Sequence, residues 1–385
     1  MTVLIVVLAC AVIAGGATGL NAIVARTSRH TTVRSVAASC VAPQASPAAV
    51  APNHLGVWPF DLLQAGTFGS LVAGPAGLYA LQACGTQETE LRVLHLATSG
   101  KVLGASAAFD RAALLTSSLA IAGGSLYVGA ARLDISGPSN SGPYALTLYR
   151  LDLGTLQVVG SRTLGRGYGL SLLATDSEAG SSRTPAPSLL ASTGSALLDI
   201  ALGSLRTTSL ASFGGSIAQH VAAGAGTPYV ALSLFAPAAV PPAATASVEL
   251  FDLATHRVVS SVRLTSGSDV ESVVLGSSGL WASIGDGAST QVRLYSVPAL
   301  ATGAPTGVPA TLQTFHLSEA AGVVWIWGPA LLGCADASTG RLLASVSPAG
   351  SSTASVSGTV SSGSAMFAVT QAGIGAVVTP AACRI

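Results

Sequence analysis

Lysine is almost missing from this chain: Lys101 stands alone beside sixteen arginines, and sixteen acidic side chains bring the formal net charge to +1. No basic run occurs, so the phosphate-neutralising footprint of DNA or RNA binding is absent and no nucleic-acid partner is expected. Charged residues fill only 9% of the 385 positions, and serine, threonine, glycine and alanine must therefore cover most of the surface. Stretches of helical periodicity are nearly absent as well. The sequence has no G-x-S-x-G elbow after a strand, no phosphate loop and no dinucleotide fingerprint in strand-to-helix context, which removes the usual signatures of serine hydrolases and nucleotide enzymes. It also has no C-x-x-C, no C-x-x-C-H and no cysteine and histidine at zinc spacing. What it has in quantity is apolar residues, 50% of the chain, with 44 glycines and 19 prolines. That is enough to bury a large core and excludes wholesale disorder.

The first segment is apolar. Thr2 to Ala25 carries no charge over 24 residues, and as a helix rising about 1.5 Å per residue it would span roughly 36 Å, enough to cross a bilayer. We read residues 1–25 as a signal peptide or membrane-anchor helix. A basic stretch before the apolar core is missing, and Gly15-Gly16-Ala17 and Ile23-Val24-Ala25 mark two cleavage points. Val7-Leu8-Ala9-Cys10 superficially matches a lipoprotein box, but the apolar run continues past Cys10, which reads as an inert membrane cysteine. Arg26, Arg29 and Arg34 follow, and the positive-inside rule alone would hold that end in the cytoplasm. Residues 26–54, rich in Ala, Ser, Val and Pro without periodicity from about Thr31, read as a linker. Residues 55–385 form the folded domain.

Cys40, Cys84, Cys334 and Cys383 form an even set in that remaining chain, which favours two disulfides in an oxidising compartment and opposes the arginine signal. Of three connectivities, we expect Cys334 with Cys383, stapling the last two repeats, and Cys40 with Cys84, tying the N-terminal arm to the first repeat.

From residue 55 the chain repeats itself. A glycine is followed within a few residues by an aromatic in an apolar strand at Gly77-Leu-Tyr79, Gly124-Ser-Leu-Tyr127, Gly226-Thr-Pro-Tyr229, Gly279-Leu-Trp281, Gly322-Val-Val-Trp325 and Gly363-Ser-Ala-Met-Phe367. Gly169-Leu-Ser-Leu-Leu-Ala174 reads as a degenerate seventh copy. A strand leading into a tight turn recurs as well, with anchors at His95, Asp152, Asp199, Asp252, Ser296 and Asp336, which sets a period near 48. Each period holds alternating or apolar strands and an Asp/Thr/Gly turn, as in the four-stranded blade of a propeller. The turn has a mechanism: the Asp side chain accepts from backbone amides two residues on, and Gly tolerates positive φ. We expect an all-β, six- to seven-bladed β-propeller after the N-terminal transmembrane or signal helix. Closure commonly needs one blade built from both chain ends, with Gly373 to Thr379 and Leu55 to Phe60 as the candidates. A β-solenoid or two β-sandwiches is the alternative.

These turns and aromatic strands resemble the bacterial YVTN and quinoprotein-like family of seven-bladed β-propellers, whose repeats carry a D-x-x-T-G turn. The resemblance covers about residues 55 to 385 and concerns the fold, which hosts unrelated functions. Quinoprotein dehydrogenases add a tryptophan to the docking repeat. The best match, Cys334-Ala-Asp336-Ala-Ser-Thr339-Gly340-Arg-Leu-Leu-Ala344, has Ala344 where the Trp should stand, so neither pyrroloquinoline quinone nor any other cofactor is expected.

Candidate chemistry is sparse. Asp176 with Glu178, and Asp269 with Glu271, pair carboxylates across one residue, a spacing that in a strand puts both on one face. Asp286 lies in a Gly-Asp-Gly loop. Of the six histidines, His95 and His256 fall in or beside turns, while His220 and His316 are open to a role at a central channel. The aromatics recurring at blade period read as packing between blades. Small-residue inserts near Asp134–Pro143, Ser177–Pro187, Pro237–Ala246 and Pro298–Pro309 read as recognition loops. The expectation is a monomeric binding or scaffolding module of the bacterial cell envelope, secreted or held to the membrane through residues 2–25. Its partner would be another envelope protein or a neutral glycan, and no metal is expected. The alternative is an exported propeller hydrolase or lyase using loop carboxylates that converge near the channel.

Overall fold

The computed structural model describes residues 60–383, apart from 85–89, 111, 133–143, 176–187, 225–226, 238–244, 277, 303–305, 307, 309–314, 321, 329–331, 347–355, 357, 364, 371–372 and 378–380. Contacts divide the chain into Met1–Ala42 and Pro43–Ile385. The first unit lies outside the described residues, as do the expected membrane helix and Cys40. Among the described residues no helix is long and apolar enough to cross a membrane.

Strands of the second unit form seven antiparallel sheets. Their innermost strands, for blades 1 to 7 in order, are Phe68–Gly74, Ser118–Ala122, Ser171–Thr175, Ile217–Ala223, Asp269–Gly276, His316–Ala320 and Gly358–Ser362. Each lies beside the inner strand of the next blade, and the seventh lies beside the first. The ring is closed, and the fold is a seven-bladed β-propeller. Blade 1 has a fifth short strand, Phe109–Asp110, and blade 5 shows three strands among the described residues.

Closure joins the two ends of this unit. The C-terminal strands Gly358–Ser362, Ala365–Thr370 and Gly373–Val377 form the inner part of blade 7, and Phe60–Ala65 adds its outermost strand in a register running from Phe60 opposite Val377 to Ala65 opposite Gly373. Gly373, at φ 141°, permits that approach, because a Cβ there would collide with the Gln64 carbonyl. The closing strand thus begins at the end of the segment expected for it; Leu55 to Pro59 lie outside the described residues.

Because the blades stack face to face, the core lies in the seams. Tyr79, Leu81 and Val93 of blade 1 pack on Leu119, Val128 and Leu151 of blade 2. Trp281 and Val292 of blade 5 meet Leu317, Val324 and Ile326 of blade 6. Phe367 and Ile374 of blade 7 pack on Leu71, Leu78 and Leu94 of blade 1. A second strand is covered on both faces, which is why Val323-Val-Trp-Ile-Trp327 reads as one apolar run and is buried throughout. An outer strand keeps one face wet, and Val158–Gly167 is accordingly exposed along much of its length.

The six recurring aromatics all fall on second strands. Three reach across a seam in the same way: Tyr79 Oη donates to the Leu153 carbonyl at 3.2 Å, Tyr127 Oη to Leu202 at 2.8 Å, and Trp281 Nε1 to Ala337 at 3.1 Å. Each acceptor is the second residue of a turn in the next blade. Blade 3 departs from the repeat as read. Gly169–Ala174 leads into its inner strand, and its second strand is Ser188–Ser192, where Leu190, fully buried opposite Asp199, takes the aromatic's place.

The turns follow the expected chemistry, with one displacement. Asp152 Oδ1 accepts from the amides of Gly154 and Thr155, Asp252 Oδ1 from Ala254 and Thr255, and Asp336 Oδ1 from Ser338 and Thr339. Asp199 does not anchor a turn. It sits inside the strand Ala196–Ile200, and the turn starts at Ala201, whose carbonyl accepts from the Leu205 amide. The left-handed position is Gly340 in blade 6 (φ 74°), but blades 2 to 5 fill it with Leu156, Leu205, His256 and Leu300. The three leucines are buried, so apolar burial there offsets a backbone cost of roughly 1–2 kcal/mol.

Cys334, in the third strand of blade 6, is bonded to Cys383 beyond blade 7, across 49 residues. Cys84 is also disulfide-bonded.

Candidate functional site

Every inner strand has one edge facing the axis with no fifth strand to pair it, so its amides need other partners. Serine supplies them between blades. The Leu119 amide donates to Ser70 Oγ at 3.0 Å, Leu172 to Ser118 Oγ at 2.9 Å, and Leu317 to Ser272 Oγ at 3.1 Å. These links cross from blade 1 to 2, 2 to 3 and 5 to 6, and give the channel wall a belt of hydroxyls.

Three inner strands are also bulged near their first residues. The register slips between Phe68 and Leu71, between Ala218 and His220, and between Val270 and Ser272. A bulge re-aims the side chain at the extra residue, and in blade 5 that residue is Glu271. Its carboxylate turns into the seam, where Ser283 Oγ, Thr290 Oγ1 and the Phe315 amide donate to it at 3.3, 3.2 and 3.2 Å. Asp269 stays exposed. The one-face expectation for Asp269 and Glu271 therefore fails, because the bulge inserts half a period between them.

Asp286 is held in a turn of blade 5, accepting from the Ala288 and Ser289 amides at 2.9 and 2.6 Å, and these bonds pull its carboxyl below the usual range. Asp176 and Glu178 lie outside the described residues. His220 and Asp269 lie on neighbouring inner strands, near enough for their charges to interact. Burial pushes the His220 imidazole down, and the Asp269 carboxylate partly offsets it. His316 is close enough to feel His220: burial first, then repulsion from that ring, lowers it to about 4. His316 is therefore neutral at pH 7. Among the described residues no three His, Cys, Asp or Glu gather as a metal site. His95 stacks on Tyr79 at 4.4 Å and contacts the Ala76 carbonyl through Nε2, and His256 is a turn residue, so both are structural. The expected recognition inserts lie largely outside the described residues.

His316 also lines a cavity of about 370 Å³, built where the inner strands of blades 6, 7 and 1 begin and where the Leu114–Thr116 turn leads into blade 2. Ser70, Ser117, Ser318, Thr359 and His316 supply its polar atoms, Leu71, Leu114, Leu115 and Leu317 its apolar wall, and among the described residues no ionised side chain lines it. Of this set the sequence marks His316 alone; the rest are Ser, Thr and Leu, abundant throughout the chain, and nothing local distinguishes them.

No protein-family model matches the chain, and no curated protein matches its sequence. Among solved structures, Kuenenia stuttgartiensis hydrazine synthase aligns over 83% of this chain and 97% of its own, at 13% identity and a TM-score of 0.57. The computationally designed Ika8 protein aligns over 82% and 96%, at 11% identity and a TM-score of 0.49. The likeness to hydrazine synthase is one of fold. It supports the propeller and carries no activity with it.

Proposed function

We propose that the protein is a binding or scaffolding module of the bacterial cell envelope, anchored or exported through Thr2–Ala25, which receives an uncharged partner at the mouth of its central channel. The observation that carries this reading is the mouth itself: a cavity spanning four blades with hydroxyls, a neutral imidazole and leucines and, among the described residues, no ionised group. Such lining favours a partner that brings hydrogen-bonding groups without charge, since an ion would lose its hydration and find no counter-charge. The extracytoplasmic placement draws support from the Cys334–Cys383 bond, because structural disulfides persist in oxidising compartments. A C-terminal epitope tag in the native host tests it: external protease should remove the tag from intact protoplasts, and a tag protected until lysis would reject the placement.

The hydrolase reading keeps one observation, the His220–Asp269 pair. Glu271 and Asp286 are engaged in hydrogen bonds of the seam and of a turn, so this second reading rests on the nearness of His220 and Asp269 alone. Hydrolysis of chromogenic ester or glycoside substrates that disappears in His220→Gln would favour it.

A further inference from the structure

The cavity at the mouth can be read further from its unused hydrogen-bonding capacity, on the binding-module reading given above. Ser70 Oγ accepts from the Leu119 amide and Ser318 Oγ from Trp327 Nε1, at 3.0 Å each; each hydroxyl thus keeps its proton to donate. Ser117, in the same wall, is fully used, donating to the Ala113 carbonyl and accepting from the Ala131 amide. Thr359 Oγ1 is buried and has no partner, an arrangement that costs about 1–3 kcal/mol unless something fills it. The His316 ring makes no hydrogen bond among the described residues, and as a neutral imidazole it offers one donor and one acceptor. The cavity therefore offers both donors and acceptors, all neutral, converging from three blades.

Its apolar side is equally specific. Leu115 is 90% exposed, the most exposed large hydrophobic residue among those described, and it stands at the lip next to buried Leu114. The 3-10 turn holds it there: its C-cap amide, from Ser117, bonds back to the Leu114 carbonyl. A water occupies about 30 Å³ of liquid, so a cavity of about 370 Å³ has the volume of roughly twelve waters, room for one small ring molecule.

We propose that this cavity is a binding site for a single neutral sugar ring of hexose size, its hydroxyls bonded to Ser70, Ser318, Thr359 and His316 and its C–H face laid on Leu114 and Leu115. A hexose has twelve non-hydrogen atoms, carries both donors and acceptors around its rim, and presents an apolar face, the three properties the cavity asks for. A charged sugar finds no counter-charge among the described residues that line it.

Saturation-transfer NMR on the full chain tests this with glucose, galactose, mannose and N-acetylglucosamine as probes, glucuronate and glucosamine as charged controls, and acetyl-leucyl-leucine amide as an apolar peptide. The expected result is transfer to the ring protons of at least one neutral sugar, weakened about tenfold in affinity by Leu115→Ser and by Thr359→Val and unchanged by Val258→Ser on the outer wall. Leu115 is exposed and Thr359→Val is isosteric, so neither variant threatens folding. Transfer to none of the neutral sugars, to the charged sugars equally, to the peptide alone, or with affinity unmoved in both cavity variants would overturn the proposal. If external protease still removes the C-terminal tag, the envelope reading survives that outcome; if the tag is protected, the two fail separately.

Discussion

Tyr127 of blade 2 and Leu202 of blade 3 are joined across their seam by a 2.8 Å hydrogen bond from the phenol to the carbonyl, and the same carbonyl accepts from Arg150 Nη1 at 3.1 Å. Tyr79 with Leu153 and Trp281 with Ala337 repeat the link at two other seams. In each, an aromatic on a second strand fills the seam with its ring and ties its tip to the turn of the next blade, so one residue supplies both packing and orientation.

Replacing Tyr127 by Phe therefore isolates the polar half of the link. Because Arg150 keeps the Leu202 carbonyl satisfied, the loss should be about 1 kcal/mol, at the level of an ordinary net hydrogen bond. Tyr127→Ala removes the ring as well and should cost about 3–5 kcal/mol. Urea unfolding followed by tryptophan fluorescence measures both.

Ring closure depends on the close approach of Gly373 to Gln64. Gly373→Ala pushes the outermost strand away from blade 7 and should cost at least about 2 kcal/mol through forced backbone movement. Phe60–Ala65 should then become the first site of proteolysis. Gly340→Ala is the control, since its neighbour Thr306 Cγ2 lies 3.4 Å from the added carbon and only the left-handed backbone is penalised, by about 1 kcal/mol.

Stability should fall on mild acidification. Free histidine titrates near 6.5, while His316 in the folded protein titrates at about 4, so between these values the unfolded chain binds more protons and unfolding is favoured as pH drops. His220 is shifted in the same direction. The loss from His316 should reach at most about 3 kcal/mol by pH 4 and then level off. Asp336, lowered to about 2 by its turn hydrogen bonds, adds a separate loss as pH falls from its ordinary value toward 2. Unfolding midpoints measured against pH should show the upper step flattened in His316→Asn and the lower one retained.

The Cys334–Cys383 bond closes a loop across 49 residues that spans the end of blade 6 and most of blade 7. Cys383→Ser should lower stability by about 2–4 kcal/mol through greater freedom of the unfolded chain. Differential scanning calorimetry of the oxidised proteins checks this, and an unchanged melting temperature would show that the bond constrains little.

Much of this architecture was legible from residue spacing, because both faces of each blade are buried and each second strand must announce itself as an apolar run with a bulky ring, as at Tyr79, Trp281 and Trp325. Blade 3 escaped that rule where Leu190 does the ring's work and residues 176–187 separate its first two strands. Its turn was displaced by two residues for a related reason: Asp199 looks like the anchor, but a leucine in the left-handed position, Leu205, and a backbone carbonyl at Ala201 make the turn without an Asp side chain. The mouth was the least legible part. Ser70, Leu115, His316 and Thr359 are far apart in sequence and become neighbours only when the ring closes. Glu271 was misread because a bulge has no signature in residue type.

The channel mouth is the face proposed to meet a partner. The direct measurement is photo-crosslinking in intact host cells, with a photoreactive amino acid placed at Leu115 on the lip or, for comparison, at Val258 on the outer wall. The account predicts adducts with envelope material from Leu115, competed by an excess of neutral sugar, and few from Val258. Adducts from Val258 alone, or adducts from Leu115 to cytoplasmic proteins, would contradict it.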